Sequence, residues 1–234
     1  MQKKIITGII AIITVFFLTG ICFAEEVTNV SQDKPGKISE EAQAVADLSM
    51  AGKLAEYGRR VQNPLALVVA AQIMKNTPSQ DKKMDKETEG KGTADKGKKS
   101  GSLETPEKLL ADAKTMAKNN DLINELIDKE SKMTAQRGKV GGPIRHVDRI
   151  MAYDTDIYRG VTFRGGERAE IALVGDGDCD LDLYVYDEND NLIDSDTDSL
   201  DRCLVSFTPR WTGKFYIKVK NLSSVYADYI LVSN

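Results

Sequence analysis

The chain has 234 residues, of which 41% are hydrophobic, 6% aromatic and 29% charged. That is the balance of a chain that folds around a core, and it excludes a long disordered polymer. With 32 Lys+Arg against 36 Asp+Glu the net charge is -4, so there is no global basic field to hold nucleic acid.

Lys3 and Lys4 precede an apolar run over 5–23 that closes on Cys22-Phe23-Ala24 before Glu25-Glu26. This order of charge, apolar core and small residue is that of a secretory signal, so residues 1–24 are read as a leader to the periplasm or the exterior. Since Lys3 and Lys4 are its only charges, removing it moves the balance from -4 to -6. An uncleaved anchor is the alternative, because the apolar run is long enough to cross a bilayer core of about 30 Å.

Residues 25–142 carry helical periodicity. Ser39 is an N-cap with Glu40 and Glu41 in the first turn, and Ala42, Val45, Leu48, Ala51, Leu54 and Ala55 recur at three- and four-residue steps. Asn63-Pro64 opens a second, almost wholly apolar helix that ends near Asn76. Thr105-Pro106 opens a third. After a break at Asn119-Asn120, a fourth carries Leu122, Ile123, Leu126, Ile127 and Met133. Two such pairs close into a four-helix cluster or leave a groove for a partner. Residues 79–104 have only Met84, Ala94 and Leu103 as apolar interruptions, and are expected to be a disordered linker that buries too little to order itself.

After Gly142-Pro143 the period changes to two. Alternating runs at 161–163, 171–174, 181–186, 204–207, 215–219 and 229–232 are separated by Gly and Asx turns. The fold class expected is α+β multidomain: a helical N-terminal region, then an antiparallel β-sandwich or jelly roll over 143–234.

This second part resembles the bacterial pre-peptidase C-terminal domain over roughly residues 156–234. The motifs are Phe163-Arg164-Gly165-Gly166-Glu167, the run Gly175-Asp176-Gly177-Asp178-Cys179-Asp180-Leu181-Asp182-Leu183-Tyr184-Val185-Tyr186-Asp187, and Ser206-Phe207-Thr208-Pro209-Arg210-Trp211-Thr212-Gly213 followed by Phe215-Tyr216-Ile217-Lys218-Val219. The resemblance implies a non-catalytic accessory β-sandwich, sometimes calcium-stabilised and sometimes a binder of polymers such as collagen.

Three sets of residues are candidates for function. Cys179 and Cys203 are an even pair in an exported chain, and they share odd parity with Leu181, Leu183, Val185, Val205 and Phe207. They are expected to form a disulfide closing a loop of about 25 residues, worth roughly 3.5 kcal/mol in the chain-entropy model. Asp176, Asp178, Asp180 and Asp182 recur at every second residue, with Asp198 on the next connection. Hard carboxylate oxygens at this density suit Ca2+, although Leu181 stands where an EF-hand needs glycine. Tyr184 and Tyr186 on one strand and Tyr216 on another point away from the apolar parity, as an exposed binding surface.

His146 is the only histidine, and no Gly-x-Ser-x-Gly, His-Glu-x-x-His or phosphate-binding glycine loop is present. The sequence therefore points away from an enzyme and from nucleotide binding. It points to an exported accessory protein of the cell envelope presenting acidic loops to an extracytoplasmic protein or polysaccharide, with membrane contact only through an uncleaved leader. A secreted hydrolase or peptidase-associated domain, and a self-associating structural protein, are the alternatives.

Overall fold

The computed structural model describes residues 28–31, 35–92, 101–133 and 142–234. The leader expected over residues 1–24 lies outside them. Among the described residues there are four helices and ten strands, and no helix is long and apolar enough to cross a membrane.

The caps expected at Ser39, Asn63 and Thr105 are formed, and Asn120, read only as a break, caps the fourth helix. Helix α1 (Glu40–Arg60) starts on Ser39, whose hydroxyl accepts from the Ala42 amide, and α2 (Pro64–Asn76) starts on Asn63. Helix α3 (Pro106–Ala117) starts on Thr105, which accepts from Lys108, and α4 (Asp121–Lys132) on Asn120, which accepts from Ile123. These side chains satisfy amide donors that the first helical turn leaves open. The helices share a core of Ala51, Ala55, Leu67, Val68, Leu109 and Ile127. Two sets of polar contacts tie them together. Arg59 makes a bidentate pair with Glu104 (2.8 and 3.0 Å) and reaches Asp112 at 2.7 Å. The Lys75 ammonium donates to the Glu130 carbonyl at 2.6 Å and the Met133 carbonyl at 3.1 Å, where a cation complements the end of α4.

The strands are β1 (Gln80–Asp81), β2 (Glu87–Glu89), β3 (Ile144–Ile150), β4 (Thr155–Phe163), β5 (Ala169–Gly175), β6 (Leu181–Tyr186), β7 (Leu192–Asp196), β8 (Arg202–Phe207), β9 (Gly213–Asn221) and β10 (Ala227–Ser233). They form two five-stranded sheets, β1-β3-β10-β5-β8 and β2-β4-β9-β6-β7. Every pairing is antiparallel except β1 with β3. Residues of one parity fill the space between the sheets, including Leu181, Leu183, Phe215, Ile217 and Val219, with Phe163, Phe207 and Phe215 clustered at centroid distances of 5.1 to 5.6 Å. Strands β5 and β10 of the first sheet are buried on both faces. Ala172, Ile230 and Val232, of the opposite parity, pack on Val45 and Leu48 of α1, which explains why β5 and β10 read as continuous rather than alternating apolar runs.

Two expectations are corrected here. The disordered linker over 79–104 is not wholly so: residues 80–81 extend one sheet beside β3 and residues 87–89 extend the other beside β4. Its composition bears on side-chain burial, whereas strand addition at an open edge satisfies backbone donors and acceptors whatever the side chains are. Residues 93–100 lie outside the described set.

The Cys179–Cys203 disulfide is not formed. Cys179 sits in the turn before β6, and its thiol donates to the Asp178 carboxylate and the Tyr226 carbonyl, both at 3.3 Å. The Cys203 thiol donates to the Leu181 carbonyl at 3.0 Å. Burial pushes its pKa well up, and Asp196, Asp198, Asp182 and Asp201 push it further, which suppresses the thiolate that oxidation requires. The alternation that aligned the two sulfurs on paper ends where the strand does.

Candidate functional site

The outer face of the second sheet is built by strict alternation. With Phe215, Ile217 and Val219 buried, β9 turns Lys214, Tyr216, Lys218 and Lys220 outward. Register then sets Tyr186 beside Tyr216, Tyr184 beside Lys218 and Asp182 beside Lys220. From the other side β4 sets Arg159 beside Tyr216, immediately before a register shift at Gly160, whose φ of 75° suits glycine.

Tyr186 and Tyr216 are stacked, with centroids 4.8 Å apart and planes at 6°. The Lys218 ammonium lies 5.1 Å from the Tyr186 ring and 5.7 Å from that of Tyr216, and the Arg159 guanidinium 5.2 Å from Tyr216. These distances are within cation–π range. Two carboxylates hold the phenols: Tyr216 donates to Asp190 at 2.7 Å and Tyr184 to Asp182 at 2.8 Å. Burial and then the Asp182 bond push the Tyr184 phenol up to about 12, and burial with the Asp190 bond pushes the Tyr216 phenol up as well. The Tyr184 and Tyr216 hydroxyls therefore stay protonated donors at neutral pH. The three tyrosines expected to share a face do so. Arg159 and Asp190 were not legible beside them, since one precedes a bulge and the other lies in a turn.

The five aspartates expected as metal ligands divide into two places. Asp176 is buried and accepts from the Asp228 amide at 2.7 Å, while Asp178 accepts from the Gly101 amide at 2.7 Å. One donor atom each from Asp176, Asp178 and Cys179 lie within 4.8 Å of one another. Asp180 and Asp182 form the second place. Burial raises the Asp180 pKa, and the charges of Asp182 and Asp198 raise it further. Asp182 is 4% exposed, and one carboxylate oxygen on each of Asp180 and Asp182 is buried without a hydrogen-bond partner. Asp198 is exposed and accepts from the Leu200 amide at 3.0 Å.

A third polar cluster was not anticipated. Tyr158 donates to the Tyr229 hydroxyl, which donates to Asp156 at 2.8 Å. Asp156 also accepts from Thr88 at 2.6 Å and from Lys86 at 2.8 Å, and Lys86 reaches Asp148 at 3.1 Å. His146 is buried beside it, with Nδ1 accepting from the Met84 amide at 3.1 Å and Nε2 3.2 Å from Asp148. Its partners on 84–88 belong to the segment that crosses from β1 in one sheet to β2 in the other. The cluster therefore fastens that strap across the edge of the sandwich.

No protein-family model matches the chain, and none of the curated proteins is similar to it. Similar solved structures include the Yersinia pseudotuberculosis-derived mitogen, at 16% identity and TM-score 0.34 over 41% of this chain and 86% of that one. Another is the Aeromonas hydrophila periplasmic inhibitor of g-type lysozyme, PliG, at 14% identity and TM-score 0.29 over 39% and 84%. A third is the pre-peptidase C-terminal domain of a Bacillus anthracis collagenase, at 13% identity and TM-score 0.24 over 41% and 81%. At these scores the likenesses carry no argument about what this chain does.

Proposed function

We infer that the protein is an exported, non-catalytic accessory module of the cell envelope, of the pre-peptidase C-terminal type in its β half, that binds an acidic polysaccharide through the outer face of β4, β9 and β6. The observation that carries this reading is the stacked Tyr186–Tyr216 pair with Lys218 against both rings and Arg159 on Tyr216. With the ring faces taken by each other and by Lys218 and Arg159, the outward ring edges offer apolar contact to the C–H groups of sugars. Lys214, Lys218 and Lys220 have no ion-pair partner among the described residues, which suits carboxylated sugars.

Affinity electrophoresis through a gel containing a polyuronate tests the reading. Retardation of the wild-type protein is expected, falling at least about tenfold in affinity for Tyr216→Ala and for Lys218→Ala, with little retardation by double-stranded DNA. Absence of retardation, or equal retardation by DNA and by both variants, contradicts it.

A second observation favours calcium. The unpartnered buried oxygens of Asp180 and Asp182 are hard donors whose mutual repulsion a divalent cation relieves, with exposed Asp198 available as a further ligand. Calcium should raise Tm and magnesium should do so less, because the larger ion tolerates irregular oxygen geometry. Asp182→Asn should abolish the rise; a rise that survives it places the ion elsewhere.

A further inference from the structure

The helical layer leaves one apolar face uncovered. On α4, Leu122 and Leu126 fall at a step of four and so share one side of the helix, with Met133 following its last residue as the C-cap; Leu122 is 80% exposed, Leu126 36% and Met133 48%. The adjoining side of α4 holds Ile127 in the helical core and Glu130 against α2. Gln72 meets Glu130 at 3.0 Å, and Lys75 meets the end of α4, so the two helices run side by side. On α2, Leu65 and Val69 fall at a step of four on the side that carries Gln72 toward α4, at 45% and 43% exposure. Exposed apolar side chains grouped on neighbouring helices mark a contact site rather than scattered surface residues.

Charge identifies the occupant. Beside the stripe, Asp121 and Glu125 lie in the first half of α4, and Lys129 and Lys132 in its last turn. None of the four has an ion-pair partner among the described residues, the nearby Lys114–Asp128 pair being closed on itself at 2.7 Å. A helix that is acidic at one end and basic at the other is complementary to its own antiparallel copy. A two-fold axis near Leu126 would lay Asp121 and Glu125 against the partner subunit's Lys129 and Lys132, with Leu122, Leu126 and Met133 covered between them. Isologous contacts of this form close at two copies.

We propose that the protein is a dimer, joined through α4 and the adjoining outer face of α2 by antiparallel pairing of α4 with a second copy. The dimer presents two polysaccharide-binding sheets from one body, and it forms whether or not those sheets bind as inferred above.

Sedimentation equilibrium of the purified protein across the micromolar range tests the proposal. A dimer is expected for the wild type. Leu122→Glu combined with Leu126→Glu should give a monomer with an unchanged circular dichroism spectrum, since neither side chain is in the core. Lys129→Glu with Lys132→Glu, and separately Asp121→Lys with Glu125→Lys, should each weaken the dimer at least about tenfold, and an equimolar mixture of the two should restore it. A wild-type monomer, a dimer that survives the leucine variants, or charge variants that do not complement each other would overturn the proposal.

Discussion

Asp187 shows how much one side chain at the end of a strand can fix. It is fully buried and accepts from the Asn29 amide at 2.9 Å, the Asn189 amide at 2.9 Å, and the Asn191 amide and side chain at 3.0 and 3.1 Å. Burial alone would raise its pKa, but these donors outweigh burial and hold it below the usual carboxylate range. A depressed folded-state pKa means stability present above the unfolded value, near pH 4, and lost as pH falls through the lower folded one. Asp187→Ala should therefore cost about 3 kcal/mol at neutral pH by urea denaturation, and the gap to wild type should narrow in acid; a pH-independent gap would contradict the assignment. Asp180 has the opposite sign. Its raised pKa makes its ionised form destabilising, so any stabilisation by calcium should grow as pH rises through its titration. Tyr184, Tyr186 and Tyr216 were legible as a shared face because alternation alone decides which way a strand residue points. The fate of Cys179 was not, because a turn residue has no such parity.

At the scale of elements, caps and strands were read with different success for a physical reason. Ser39, Asn63 and Thr105 announce helices because capping is local chemistry within three residues. Strands β1 and β2 have no such mark: their side chains are exposed, and they exist because β3 and β4 offer open edges distant in sequence. The strap between them depends on Lys86, whose ammonium compensates buried Asp156. Lys86→Met should leave that carboxylate uncompensated, costing about 2 kcal/mol, and should speed amide exchange over residues 80–89 more than in the core strands. Unchanged exchange there would mean that the backbone pairing alone holds the strap. In α2, where Leu67 is wholly buried against the other helices, Leu67→Ala should cost about 3 kcal/mol by the same denaturation; a loss below about 1 kcal/mol would mean that the helical core is loosely packed.

For the whole molecule, the sequence suggested a helical region beside a sandwich, and the described residues have both, with α1 laid directly on the sheet of β5 and β10. That layering covers one face of the first sheet and leaves the outer face of the second, with its tyrosines and lysines, turned away from the helices. Binding should consequently be confined to one side of the sandwich. Titration of the protein with a polyuronate, followed by backbone amide chemical shifts, is the most direct test of that claim. The account predicts shifts concentrated at Arg159, Tyr184, Tyr186, Tyr216 and Lys218; shifts concentrated on the helices or on the 176–182 turn, or none at saturating polymer, would contradict it.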